Sequence, residues 1–367
     1  SFFKVMNGEL KKDMVLKNNA TGAIEKFSKI YTICGKKQTE VDSLACGDIG
    51  VIAKLSGTNT NDTLCEKSQM EYKKIDFPEA NMTMAIKTDG KDEDKVATAI
   101  AKVLDEDKTV KYENFVETGE LLIKGIGDVH LDTVVCKLKN RYGVNISLQT
   151  PKIAYRETIK KTISVEGKHK KQSGGAGQYG HCKVKFEPGA EDEMYEFVDA
   201  VVGGVVPRQF IPAVDKGLRE AVKEGVLAGY PVVNLKCTLF DGSSHPVDSK
   251  EVAFVSAAKL AYADGMRKAA PCILEPVMRM EIVVPDNYMG DIMGDMNKRR
   301  GRILGTDSNG SVAVITAEAP QSEILKYATE LRSMTQGRGS YTTAFERYEE
   351  LPAHLQEKVI ADRKKEA

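Results

Sequence analysis

Twice along the chain the hydrophobic period changes in the order β-α-β-β-α-β, and this repeated order restricts the fold more than any other feature. In the first occurrence Asn81 to Lys87 alternates, with Met82, Met84 and Ile86 on one face of a strand. Val96, Ile100, Val103 and Leu104 then follow helical spacing. Two strand-like runs, TVKYEN and ELLIKG, flank a Thr118-Gly119 turn. Leu131, Val134, Val135, Leu138 and Tyr142 form a helical stripe that stops at Gly143, a natural C-cap, and VNISL closes the set. The second occurrence starts with Val277 to Val284 and a helix carrying Tyr288, Ile292 and Met296. Strands at Arg302 to Gly305 and Val312 to Ala317, a helix with Ile324, Tyr327, Ala328 and Leu331, and a strand at Tyr341 to Phe345 complete it. The order is that of the ferredoxin-like split βαβ unit. It repeats in architecture and not in sequence.

The segments around these units differ in kind. Residues 1–70 are short β-type runs broken by Asn7-Gly8, Asn18-Asn19 and Ser56-Gly57, which suggests a small β-barrel. The chain enters at Ser1 directly into the strand-like Phe2-Phe3-Lys4-Val5, so a barrel truncated at its N-terminus is expected. The middle segment holds two long strands around a glycine-rich turn, a helix with Val214, Leu218, Val222 and Val226 started by Pro212, and the strand VVNLKCTLF. A last helix is expected to start at Asp248, with Glu251 completing a capping box. The reading is a multidomain α+β chain: barrel 1–70, ferredoxin-like 75–151, an α+β domain 152–273, a second ferredoxin-like unit 274–352 and a helical tail 353–367. Polar linkers such as Lys67 to Lys74 lead to the expectation that the domains move as separate bodies, each with its own core.

Several function classes drop out. Lys plus Arg equals Asp plus Glu at 53 each, so any polyanion partner must be met by local clusters. Seven cysteines are scattered with no C-x-x-C pair, which fits reduced cytosolic thiols and a cytoplasmic location. No apolar run approaches the roughly 18 residues of a membrane span. Gly-Lys occurs at Gly35, Gly90 and Gly167, followed by Lys, Asp or His, so there is no Walker A loop. The five histidines lack zinc-ligand spacing, and no metal is expected; His130, at a helix start, reads as structural.

Three stretches remain as candidate sites. Gln172, Ser173, Gly174, Gly175, Ala176, Gly177, Gln178, Tyr179 and Gly180 follow the basic Lys168-His169-Lys170-Lys171. Glycine lets a backbone approach a partner closely, and amide and Lys side chains suit sugar-phosphate contact. Composition alone fits a solvated hairpin tip equally well. A second loop, Gly242, Ser243, Ser244, His245 and Pro246, follows VVNLKCTLF and offers His245 no apolar surroundings, so exposure is expected. The third stretch is Lys298, Arg299, Arg300 and Arg302, more cations than a helix C-terminus requires. A surface cluster with few acidic neighbours, facing a polyanion, is expected there.

The runs QSGGAGQYGHC, VVGGVVPRQFIPAVDKGLREAV, VLAGYPVVNLKCTLFDGSSHPVDS, MGDIMGDMNKRRGRILG and YATELRSMTQGRGSYTTAFERYEELP closely resemble the translocase elongation factor G and its relatives. Weaker similarity in GDIGVIAKL, DTLC and GIGDVHLD extends the resemblance over essentially the whole chain. It implies a C-terminal fragment without the family's GTPase domain, with GTP and magnesium bound in that missing domain, no cofactor and no catalytic residue here, and no activity alone. It further implies that the α+β domain has a left-handed βαβ crossover, mimics tRNA and enters the decoding region. There Gln172 and His245 would touch the codon-anticodon helix, and the cluster from Lys298 to Arg302 would face rRNA. The implied function is GTP-dependent movement of tRNA and mRNA on the ribosome, by a monomer with no membrane partner. Ala176 and Ser244 stand where the commonest bacterial pattern has Arg and Tyr, which removes two groups able to contact RNA and suits a specialised paralogue. Two alternatives are a ribosomal protection protein of the same family and a small-molecule kinase with ATP on the glycine-rich loop. No Asp-Lys pair can be placed beside that loop for the second.

Overall fold

Short strands cannot bury much alone, so the first 78 residues close several of them around one small core. The computed structural model describes residues 1–53, 55–67, 70–88, 93–171, 177–191 and 194–366, the side chains of 93 and 366 aside. The chain divides into two bodies, 1–78 with 105–109 and the remainder. In the first body the strands are β1 (Phe2–Lys4), β2 (Glu9–Lys11), β3 (Val15–Asn18), β4 (Ile24–Lys26), β5 (Ile30–Cys34), β6 (Lys37–Val41), β7 (Ser43–Ala45), β8 (Ile49–Val51) and β9 (Leu64–Cys65). They pair as β1-β8-β5-β6, β2-β7 and β4-β3-β9 around Val5, Leu10, Phe27, Ile30, Leu44 and Ile52.

The second body opens with β10 (Met82–Lys87), α1 (Glu93–Glu106), β11 (Lys111–Phe115), β12 (Glu120–Gly125), α2 (Asp128–Tyr142) and β13 (Ser147–Gln149). The sheet order β11-β12-β10-β13 is antiparallel throughout and puts the first strand at its centre, as the ferredoxin-like pattern requires. Gly143 ends α2 in the left-handed region, its N–H reaching the Leu138 and Lys139 carbonyls.

The middle segment contributes β14 (Arg156–Ile159), β15 (Ile163–Lys171), β16 (Gln178–Pro188), β17 (Tyr195–Asp199), α3 (Ile211–Ala221), β18 (Leu235–Ser243) and α4 (Glu251–Lys268). Its sheet is ordered β15-β16-β18-β17, and β17 runs parallel to β18 through the α3 connection. Helix α3 is shorter than the apolar spacing suggests: it ends at Ala221, and Val226 lies beyond it. Helix α4 lies against β15 and β16 so closely that a Cβ at Gly167 would collide with the Ala257 carbonyl, and one at Gly180 with that of Ala253.

The last segment holds β19 (Pro271–Pro285), α5 (Met289–Lys298), β20 (Arg302–Ser308), β21 (Val312–Pro320), α6 (Gln321–Ile324), α7 (Tyr327–Met334), β22 (Ser340–Glu350) and α8 (Ala353–Glu366). The order β22-β19-β21-β20 repeats the first unit's arrangement. Strand β19 starts well before Val277, because β14 pairs with its first half through Arg156↔Leu274 to Ile159↔Pro271. The helix expected across Ile324 to Leu331 is two, α6 and α7, with all four expected residues still buried.

The expectation of separate cores fails for the two ferredoxin-like units. Their buried residues form one cluster, including Ile100, Ile123, Leu138, Ile282, Ile315 and Leu331. Asn81 and Tyr341 exchange hydrogen bonds, side chain to carbonyl in both directions, and Thr329 Oγ1 donates to Asp128 Oδ2 at 2.6 Å. A split βαβ sheet leaves an apolar surface that a like unit can cover.

Strand β14 also carries Glu157, fully buried at 0% exposure. Its Oε2 accepts from the Leu227 N–H at 2.8 Å, and its Oε1 from Ala228 and Tyr230 at 2.8 and 3.2 Å. Burial pushes this carboxyl above its ordinary value, against the pull of those N–H groups. Glu157→Gln turns an NH₂ against a backbone N–H, and a loss of about 1–3 kcal/mol is expected in urea unfolding. A raised folded pKa means the wild-type contribution is present below the unfolded value and is lost as pH rises through the folded one. The gap between wild type and variant should therefore narrow with rising pH.

Candidate nucleic-acid interface

Because α4 rests directly on the β15–β16 hairpin, the loop before α4 is delivered to the start of β16. Gln172, Ser173, Gly174, Gly175 and Ala176 lie outside the described residues. From Gly177 onward the hairpin and the second loop are clasped together. The Gly177 N–H donates to Asp248 Oδ1 at 3.1 Å and the Tyr179 N–H to the Asp248 carbonyl at 2.9 Å. Ser249 Oγ donates to the Tyr179 carbonyl at 3.0 Å and accepts from the His245 N–H at 2.8 Å. Asp248 is thus not the N-cap expected of it. Its carboxylate is spent on the hairpin, and α4 begins at Glu251 with Lys250 at the cap position and no side-chain cap.

His245 is exposed, its side chain retaining 51% of its surface. Nδ1 accepts from the Val247 and Asp248 N–H groups at 3.3 and 3.2 Å, which assigns the neutral ring's proton to Nε2. The ring is held by its own turn and stands 6.2 Å, centroid to centroid, from Tyr179. Ser244 and Pro246 are exposed beside it, whereas Gly242 and Ser243 are half-buried and end β18. Ser243 Oγ lies 2.8 Å from both Tyr179 Oη and His181 Nδ1. Lys168 Nζ sits 5.9 Å from the Tyr179 ring centre. His181 Nε2 is buried, 3.5 Å from Glu166 Oε2.

This end of the sheet offers hydrogen-bond donors, and its Ser243 and Ser249 hydroxyls are engaged in bonds to their neighbours. Lys168, Lys170 and Lys171 are exposed, and no carboxylate pairs with them among the described residues. His169 Nε2 is bonded to Gln178 Oε1 at 3.1 Å. Among the described residues no group of His, Cys, Asp and Glu is placed to hold a metal ion. The lysine ammoniums, the Gln178 side-chain amide and the His245 imidazole N–H form a set suited to phosphate and sugar oxygens. His181 and Ser249, which help fix this arrangement, are not among the sequence candidates, and Asp248, at the end of the second loop, is expected there only as a helix start; cross-strand register, invisible to periodicity, brings them together. His130 is structural as expected, its Nδ1 accepting from the Ile126 N–H at 3.1 Å.

The third candidate is corrected. Arg299 pairs with Asp295 at 2.7 Å and with Glu330, Arg300 with Glu275 at 2.6 Å and Glu323 at 3.0 Å, and Arg302 with Glu318 at 3.0 Å. Glu275 and Glu318 are buried in the C-terminal sheet, and Arg347 with Arg302 holds the Glu318 carboxyl below the usual range. The turn's cations neutralise carboxylates that the sheet has desolvated. Arg300 even takes a left-handed φ of 57° there. Lys298 alone of the four is exposed with no carboxylate partner among the described residues.

Family models match nearly the full length: elongation factor G domain 2 over residues 1–67, domain III over 77–150, domain IV over 151–270 and the elongation factor G C-terminus over 272–359. Among solved structures, a crystal structure of a Thermus thermophilus protein is similar with a TM-score of 0.82 and 37% identity. The similarity covers 98% of this chain and 54% of that one, so this chain spans about half its length.

The ion-pair network yields a prediction. Arg300→Ala strands the buried Glu275, and a destabilisation of roughly 3–5 kcal/mol is expected in denaturant titration. Unchanged stability in the variant would show that Glu275 does not depend on this pairing.

Proposed function

This chain belongs to the elongation factor G family of translation factors, and from that premise we propose that it is the ribosome-engaging part of a translational GTPase that moves tRNA and mRNA during elongation. The observation that supports this most is the convergence of the glycine-rich hairpin and the 242–248 loop at one end of the middle domain. There His245 is exposed and oriented by its own backbone. On this reading GTP and Mg²⁺ are taken by a GTPase domain outside these residues, and the protein works as a cytoplasmic monomer. The described residues contain no helix long and apolar enough to cross a membrane.

The proposed mechanism is mechanical. GTP binding and hydrolysis reorient the domains, and the tip engages the tRNA–mRNA helix and keeps it from slipping back while the ribosomal subunit rotates. The His245 Nε2–H and the lysines of β15 supply donors to sugar and phosphate oxygens, and the clasp of Asp248 and Ser249 holds the His245 loop to the start of β16. Interactions made only in the moving state lower its barrier without raising ground-state affinity.

His245→Ala in the protein carrying its GTPase domain tests this. The fold, GTP hydrolysis and ribosome binding should stay near wild type, while single-round translocation slows by about tenfold, equivalent to about 1.4 kcal/mol in the barrier. Translocation at the wild-type rate would remove His245 from the mechanism.

A further inference from the structure

A third loop reaches the same end of the middle domain. Strand β17 runs parallel to β18, so the chain leaving Asp199 emerges beside Leu239, where the Ala200 N–H donates to the Leu239 carbonyl at 2.8 Å. Residues 200–207 then cross this end before the chain turns back into α3. Both feet of the loop are fixed. Asp199 Oδ1 accepts from the Val201 N–H at 3.0 Å, and Val206 is buried against Gly242. Phe210, just beyond, stacks on Phe254 at 4.8 Å.

Between these anchors the loop is built outward. Val202 is 81% exposed and Val205 40%. Gly203 and Gly204 take φ of 72° and 69°, two consecutive left-handed residues that side chains tolerate poorly. A Cβ on either would meet nothing within 4 Å. No hydrogen bond within the described residues uses the N–H groups of Val202, Gly203 or Gly204, while the turn at Gly203 and Gly204 brings the Val205 N–H back toward the Val202 carbonyl. The Val202 side chain is thus presented to solvent beside three N–H donors left for an outside acceptor.

We propose that residues 202–205 form a third RNA-contacting loop of the tip, taking one ribose-phosphate strand, with the free N–H groups on phosphate or 2′-hydroxyl oxygens and the Val202 methyls against a sugar. This rests on the reading of the tip as a ribosomal RNA-engaging surface. The charge around the loop favours RNA over a protein occupant. Arg208, two residues past the anchor, is exposed without a carboxylate partner among the described residues, as are Lys168, Lys170 and Lys171 on β15. Backbone N–H groups combined with unpaired cations match a strand of phosphates, and a small apolar contact suits the face of a ribose.

The test compares wild type, Val202→Asp, Val202→Ala and His245→Ala of the intact protein on ribosomes carrying tRNA and mRNA. Affinity and protection of RNA 2′-hydroxyls from acylation are both read. Val116→Asp, at a turn of the first ferredoxin-like unit where Val116 is 85% exposed, controls for charge. At unchanged thermal stability, Val202→Asp should bind about tenfold more weakly and lose protection at a few riboses that His245→Ala still protects. Val202→Ala, which keeps the N–H groups, should lose less. If Val202→Asp bound and protected like wild type while His245→Ala lost protection, the third loop would be refuted and the tip reading would stand. Weaker binding with an unchanged RNA footprint would assign the loop to a protein instead. Wild type that protects no RNA would sink both.

Discussion

The direct contact of helix α4 with the β15–β16 hairpin is the constraint on which the rest of the middle domain depends. Gly167 and Gly180 hold no side chain between strand and helix, so the backbones meet. A helix that close has only one place for its preceding loop, the mouth of the hairpin. Asp248 and Ser249 therefore land within hydrogen-bond reach of Gly177 and Tyr179, and His245 is carried to the end of the sheet. A Cβ at either glycine would lift α4, and the clasp would open before the core lost much apolar contact, because each of its bonds tolerates only a few tenths of an ångström.

This explains why the fold is legible in the sequence while much of the site is not. Alternation in Met82 to Lys87 and the helical stripe ending at Gly143 are local signals, and both ferredoxin-like sheets follow from them. Strand β19 reads short in the sequence because Pro271 and Pro276 look like strand breakers; β14 pairs only as far as Leu274, and the ladder to β22 shifts register just beyond Pro276. Asp248 looks like an N-cap because Asp before a helix usually is one. Its true partner, the Gly177 N–H, lies across a β-ladder that sequence spacing does not encode. Arg300 and Arg302 look free for the same reason: Glu275 and Glu318 are distant in sequence and neighbours only in the sheet, whereas Asp295, the partner of Arg299, lies one helical turn before it.

Charge is apportioned accordingly. A chain with no net charge meets a polyanion only if its cations are segregated. Here Arg300 joins Glu275 of β19 to Glu323 of α6, Arg299 joins Asp295 of α5 to Glu330 of α7, and Arg302 and Arg347 meet on Glu318 of β21. Among the described residues, Lys168, Lys170 and Lys171 on β15 and Arg208 beside the third loop have no carboxylate partner, and in the C-terminal unit Lys298 has none either. Arginine, with its fixed fork of donors, meets the buried Glu275 and Glu318, whereas lysine, with its flexible ammonium, supplies three of the four cations at the tip that are unpaired among the described residues, Lys168, Lys170 and Lys171 beside Arg208.

A tip that bears force also needs a continuous path behind it. The hydrogen-bonded ladder runs from the hairpin mouth through β16 to β18, and α4 carries the same region to β19, which follows it after a single turn. Strand β14 belongs by sequence to the middle segment and by pairing to the C-terminal sheet, and its Glu157 grips the 227–230 loop of the middle segment. The middle segment is thus tied to the C-terminal unit by a shared ladder and a buried carboxylate, connections that resist shear because every donor and acceptor in them would be left unpaired on slipping. On the proposed reading, displacement of the tip by the tRNA–mRNA helix is carried into that sheet, and any compliance of the protein must lie elsewhere.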